Sequence, residues 1–267
     1  MAISTIDDVV TALAASSKQK INFFKNCTAA KAIGSYQSAW MATGSPAAGA
    51  ASPTYTTGSG YTASSATTGA MPYTNAATQN YLARANSQAT LACSLIIADR
   101  LWSCSGMGFA AATYTVTTPG SLPARITDNG LGCELWVEQF VAAGAASGTL
   151  TANYVDSASG SVAGVISAVV SAPVTGQLQP VPLANNLGVK QLTSVVTSAT
   201  WTSGSFGMTI LKRVVEIPLV LAGIGGVLDY AQTALARIPA DACLFGFISA
   251  TSTTAVTLSG SLDIIDK

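Results

Sequence analysis

The sequence predicts a mainly β chain: an antiparallel β-sandwich or jelly-roll-like domain, with a short N-terminal helix, an extended N-terminal arm and one or two further short helices. Two observations carry this. After Leu91 the chain becomes a series of short segments rich in β-branched and aromatic residues, among them "ATYTVTT", "CELWVEQFV", "GTLTANYVDS", "AGVISAVVS", "KQLTSVVTSATW", "GMTILKRVVEIPL", "CLFGFISA" and "TAVTLSGSLDII". Turn material separates them, including "PGSLP", "TDNG", "DSASG" and "TSGSFG". Strands at this spacing point to stacked antiparallel sheets.

In chain order, residues 4–15 read as a helix. Ser4 or Thr5 can cap it, Asp7 and Asp8 lie in its first turn, and Ile6, Val9, Val10 and Leu13 share a face. "KQKINFFKNCTAAK" follows, with Lys18, Lys20, Lys25 and Lys31 around Ile21, Phe23 and Phe24. It reads as a positive, partly apolar arm that docks on a protein neighbour. Residues 44–75 are low in complexity and hold Tyr55, Tyr61 and Tyr73, which suit an interface loop ordered by a partner. Two further stretches read as helices: "NAATQNYLARANSQATLA" and "GVLDYAQTALARIP", the second stopped by Pro239. The expected division is therefore 1–31 helix and docking arm, 32–77 extended interface loop, and 78–267 sandwich domain.

The surface chemistry is unusual. Of 267 residues, 49% are hydrophobic but only 9% charged, with 12 basic residues balancing 12 acidic ones. An ordinary soluble domain carries about 25% charged residues. So little charge leaves little electrostatic protection against association, so the surface is expected to be hydroxyl-rich or covered by other subunits. A membrane span is not expected: "VEIPLVLAGIGGVLDYA" is broken by Glu216, Pro218 and Asp229, and "SLIIADRLW" by Asp99 and Arg100. The first residues, MAISTIDDVV, hold acids where a signal peptide has basic residues, so synthesis inside the cell is expected. No arginine cluster or RNA-binding signature points to nucleic acid.

The sequence has no histidine, which removes the commonest general base and every Ser-His or Cys-His arrangement. Glu134 and Glu138 form the best carboxylate pair. In a strand they share a face, either as a glycosidase-like acid and nucleophile or as the wet side of an amphipathic strand. Asp128 reads as a turn residue. "GIGG" lacks dinucleotide-binding spacing, and neither "DNGLG" nor "DSASG" has the acid density of a calcium loop. Trp40, Trp102, Trp136 and Trp201 read as core and interface anchors more than as a sugar platform. Cys27, Cys93, Cys104, Cys133 and Cys243 show no CxxC spacing and read as buried thiols, except Cys27, which in a polar arm could cross-link subunits. No catalytic residue, cofactor or metal is expected.

Several segments taken together resemble structural proteins of tailed-bacteriophage virions: "ISTIDDVVTALAAS", "YLARANSQATLACSLIIADRLW", "TTPGSLPARITDNGLGCELWVE", "GTLTANYVDSASGS" and "ALARIPADACLFGFISATSTT". The likeness is one of order and texture over most of residues 1–265, weakest in the Ser52–Asn75 stretch. It implies a non-enzymatic virion component, a capsid decoration or cement protein, with a collar, tail or fibre component contacting a host receptor as the alternative. The implied partners are a major capsid protein and copies of the chain itself, on the virion surface. No functional residue is carried over, because the family has no catalytic set.

Overall fold

The computed structural model describes residues 3, 5–15, 18–27, 34–51, 60–75, 79–108, 112–116, 122–144, 148–167, 169, 172–198 and 203–266. Helix α1 (Ile6–Ala14) begins at Thr5, whose hydroxyl accepts from the Asp8 N–H at 3.2 Å while Asp8 accepts from the Thr5 N–H at 3.1 Å. This reciprocal cap satisfies two of the donors that a helix start leaves open. Then come strands β1 (Gln19–Cys27), β2 (Tyr36–Ser38), β3 (Thr43–Ser45), β4 (Tyr61–Thr62), β5 (Asn80–Ala89) and β6 (Cys93–Ser103). The middle of the chain supplies β7 (Ala112–Thr115), β8 (Glu134–Val141), β9 (Leu150–Asp156), β10 (Ser161–Ile166), β11 (Gln177–Pro180) and β12 (Val189–Thr197). The last third supplies β13 (Ser205–Leu219), β14 (Gly226–Leu228), β15 (Arg237–Ile238), β16 (Leu244–Ala250) and β17 (Val256–Asp266). The chain is mainly β, its sheets are antiparallel, and α1 is the one helix among the described residues.

Three sheets result. In the central one, the order β13-β8-β11-β2-β16-β6 closes on itself because β6 also pairs β13, making a six-stranded ring with β4 added beside β6. Trp40, Ile96, Ala98, Trp136, Leu178, Leu211, Phe245 and Phe247 form the cluster that this ring gathers. One outer sheet, β14-β5-β17-β1-β3, packs Ile21, Phe23, Leu82, Leu258 and Leu262 against Leu95, Ile97, Ile217 and Ile248 of the ring. The other, β10-β9-β12-β7, packs Leu150, Tyr154, Leu192 and Val195 against Leu135, Val137, Phe206 and Met208. The 15-residue β13 serves both sandwich cores: its first half faces one and its second half the other. Register shifts at Ile210/Leu211 and Arg213/Val215 allow this, since each bulge re-aims the residues that follow.

Four expectations are corrected. The arm contains β1, an interior strand paired with β17 over nine residues and with β3 on its other side. Its buried residues Ile21, Phe23, Lys25 and Cys27 alternate at period two with the exposed Lys20, Asn22 and Phe24, the pattern of a half-buried strand. The stretch expected as a helix from Asn75 holds β5, because nine register pairs with β17 outweigh the helix propensity of its Ala, Arg and Gln residues. The second expected helix is broken into turns: Asp229 accepts from the N–H groups of Ala231 and Gln232, and Ala234 and Leu235 take left-handed φ values of 50° and 47°. The low-complexity stretch, where described, lies on its own domain, and strands from 1–31, 32–77 and 78–267 share the same sheets. No helix among the described residues is long and apolar enough to cross a membrane.

Candidate assembly surface

The charged groups come first, because there are so few. Arg100 and Asp99 interrupt the most apolar strand and point to opposite sides of the ring wall. Arg100 is fully buried and meets Glu138 at 2.6 Å; its Nη2 also donates to Ser103 at 2.8 Å, and Thr209 donates to Glu138 at 2.9 Å. The guanidinium carbon sits 4.6 Å from the Trp40 ring centre. Glu134 and Glu138 do share a face, on the inside of the ring: Glu138 is fully buried there, and Glu134 is half-buried at the end of its strand. Glu134 accepts from Trp136 Nε1 at 2.8 Å and pairs Arg213 at 2.7 Å. With each carboxylate bound to an arginine, neither is placed as a free acid or nucleophile.

On the other side of the wall Asp99 holds Arg125 through two bonds of 2.8 and 3.0 Å and accepts from the Cys243 N–H at 2.8 Å. Burial pushes its carboxyl above the usual aspartate range, against the pull of Arg125. Arg125 also donates to the carbonyls of Ala63 and Arg100, tying three segments together. A cavity of about 210 Å³ beside it is lined by Lys212, Arg213 and Arg237 as well, but Lys212 pairs Asp128 at 2.6 Å and Arg213 pairs Glu134. Burial raises the thiols of Cys104, Cys133 and Cys243 to about 12, which keeps them protonated. No cluster of three potential metal ligands occurs among the described residues.

The residues expected at an interface divide. Lys18, Lys20 and Phe24 are exposed. Phe23 is buried in the core, and Lys25 is buried with its ammonium donating to the carbonyls of Ala42 and Ala47 at 3.2 and 3.3 Å. Desolvation holds the Lys25 pKa below the ordinary lysine value. Cys27 is 1% exposed and faces the same core, so it is not available for a cross-link. Tyr61 lies in β4 against the ring, and the Tyr73 hydroxyl is used internally, donating to Pro239 and accepting from Ala242. Tyr55 and Trp201 fall outside the described residues.

The glycines of the low-complexity stretch have a packing role. Trp40 Nε1 donates to the Ala50 carbonyl at 2.9 Å, and a Cβ on Gly49 would lie 2.3 Å from the Trp40 ring. A Cβ on Gly60 would lie 2.0 Å from Trp102. The backbone is laid directly on two indole rings, which only glycine permits.

What does face outward is an apolar crest. Between Glu216 and Asp229 the chain has no charge, and it turns from the ring into the outer sheet. Ile217 and Leu219 point into the core; Val220, Leu221 and Ile224 project with 75%, 57% and 55% of their surface exposed. Bonds from Gly223 N–H to the Ala89 carbonyl (2.7 Å) and from Ile224 N–H to the Leu221 carbonyl (3.3 Å) hold the turn. Exposed apolar patches are a general mark of interaction sites, which makes this hydrogen-bonded turn the candidate surface of the chain. In sequence its glycines, Gly223, Gly225 and Gly226, mark the turn, but nothing local tells that its apolar residues face outward.

No family model matches the chain, and no curated protein matches it. Solved structures that overlay on it include the VP2 subviral particle of infectious bursal disease virus, with 8% identity and a TM-score of 0.21 over 93% of this chain and 80% of that one. T=1 particles derived from the same virus overlay with 8% identity and a TM-score of 0.20, over 93% and 77%. The T13 particle of that virus overlays with 9% identity and a TM-score of 0.20, over 92% and 77%. Scores of this size carry no argument about fold or role.

Proposed function

We propose that this chain is a non-enzymatic structural protein of a virion, a decoration or cement protein that docks on a major capsid protein and on copies of itself. The observation that carries the reading is the uncharged crest of Val220, Leu221 and Ile224. In a chain with 9% charged residues, its burial gains apolar contact with no ion to desolvate. The resemblance to virion proteins of tailed bacteriophages supports the same role. Its non-enzymatic part draws on the lack of histidine, on carboxylates already bound to arginine, and on thiols held protonated.

The test uses the double variant Val220→Asp, Leu221→Asp, whose sites are exposed and leave the core intact. Particles assembled with it should lose the protein while the purified variant keeps the wild-type melting temperature. Wild-type occupancy of the variant would remove the crest from the account. A quantitative gel of intact particles separates the alternative: copies in proportion to the major shell protein mean decoration, whereas a single small ring per particle means collar, tail or fibre.

A further inference from the structure

At one end of the outward face of the sheet β14-β5-β17-β1-β3, α1 packs on Ala83 and Ile265. Beyond that end, strand register sorts its side chains into rows. Asn22, Ser261 and Asn86 lie in one row, Phe24, Ser259 and Gln88 in the next, and Asn26 and Thr257 in a third. Neighbouring positions are about 4.8 Å apart across the strands and about 6.8 Å apart along them. None of these eight side chains is ionisable. The closest charges in register, Lys20, Asp263 and Arg84, form a separate row.

Bonds within the face fix its amides. Asn86 Nδ2 donates to Ser261 Oγ at 3.0 Å, Gln88 Nε2 donates to Ser259 Oγ at 3.1 Å, and the Ser261 N–H donates to Asn86 Oδ1 at 3.1 Å. A primary amide has two N–H donors, so each keeps one for a ligand after these bonds are made. A cavity of about 230 Å³ opens beside Asn86, Gln88 and Ser259, with Gly225, Gly226 and the half-exposed Val227, in register with Asn86, as its far wall. Next to Ser259 in the same row stands Phe24, with 47% of its surface exposed.

Charge and polarity select the partner. A nucleic acid, an acidic peptide or an anionic lipid would find no cation in these rows. An apolar protein surface would strip water from amides and hydroxyls without replacing their hydrogen bonds. A sugar ring answers both needs, since its hydroxyls donate and accept while its C–H face lies on an aromatic ring. We propose that this face binds an uncharged polysaccharide, with a pyranose stacked on Phe24 and its hydroxyls bonded to Asn86 and Gln88. The proposal rests on other side chains than the crest, although the cavity's glycine wall directly follows Ile224 of the crest, and it does not depend on where in a particle the chain sits.

The full chain is tested on printed neutral gluco-, manno- and galacto-oligosaccharides, with sialylated and uronic-acid oligosaccharides as charged comparisons. Retention on at least one neutral series is expected. Phe24→Ala and Gln88→Ala should each weaken it on the order of tenfold, about 1.4 kcal/mol, and Phe24→Trp should retain it. Both sites are exposed, so melting temperatures should match wild type, and Phe24→Ala should still enter particles fully. Absence of binding to every neutral series overturns the proposal, as does binding that Phe24→Ala leaves unchanged. It also falls if Phe24→Ala lowers the sedimentation coefficient of the free protein or its occupancy in particles, since the face would then be a contact between subunits.

Discussion

Arg100 and Glu138 illustrate why a chain with so few charges places two of them where no water reaches. The pair bridges β6 and β8, and Ser103 and Thr209 bring in β13, so one network ties three strands of the ring. Removing one partner strands the other in a low-dielectric interior. Glu138→Ala should therefore cost about 3–5 kcal/mol of stability, by the general behaviour of buried pairs. A double replacement, Arg100→Met with Glu138→Leu, should recover much of that loss. Urea denaturation of the three proteins checks both statements, and equal stability of Glu138→Ala and wild type would show the pair to be idle. A second residue-scale case is Gly60, where a methyl group would meet Trp102 at 2.0 Å. Gly60→Ala should destabilise the protein and shift its tryptophan fluorescence, whereas Gly225→Ala, where the added methyl meets nothing closer than 3.5 Å, should leave the emission spectrum unchanged.

At the scale of elements, the hairpin of β9 and β10 turns on Asp156. Its carboxylate accepts from Asn185 Nδ2 at 3.0 Å and from the Gly160 N–H at 2.8 Å, in that order of effect holding its pKa below the usual aspartate value. The stabilisation is thus present above the unfolded-state pKa of about 3.9. It is lost as pH falls through the lower folded value. Asp156→Asn should lower the melting temperature at neutral pH and flatten the acid limb of the profile, the two proteins converging below about pH 4 as Asp156 itself is protonated. An unchanged acid limb would show that the turn does not depend on the charge. Strand β1 makes a second case. Since it joins β17 to β3, deleting residues 1–31 should yield an unfolded or insoluble chain, and not a folded domain that has lost its docking. Circular dichroism of the truncated protein decides between the two.

For the whole molecule the governing quantity is charge. Twelve positive and twelve negative groups give no net repulsion between copies; Arg100 and Arg125 are buried on carboxylates, and Lys212 and Arg213 are paired with carboxylates at the surface. Association through the crest should therefore be apolar in character. Sedimentation at rising sodium chloride should show no weakening, and sodium sulfate should strengthen it. Dissociation as salt rises would point instead to the lysines of the N-terminal segment, Lys18 and Lys20, as the contact.

Much of this was readable in the sequence itself. Period-two alternation and turn residues specify strands locally, so the β class and most strands after Leu91 follow from residue order. Thr5 and Asp8 mark the helix start for the same reason. The lack of histidine and the scarcity of charge narrow the chemistry before any folding is considered. Closure of the ring, by contrast, is a long-range fact: β6 meets both β13 and β16, far along the chain, and no local pattern encodes that. Pairing with β17 made strands of β1 and β5, whose own composition suggested an arm and a helix. The inside of the ring took Glu138 out of water, and two indole rings gave the Gly49 and Gly60 positions their reason. Whether a side chain meets solvent, core or an oppositely charged partner depends on contacts between distant segments, and those exist only once the chain has closed on itself.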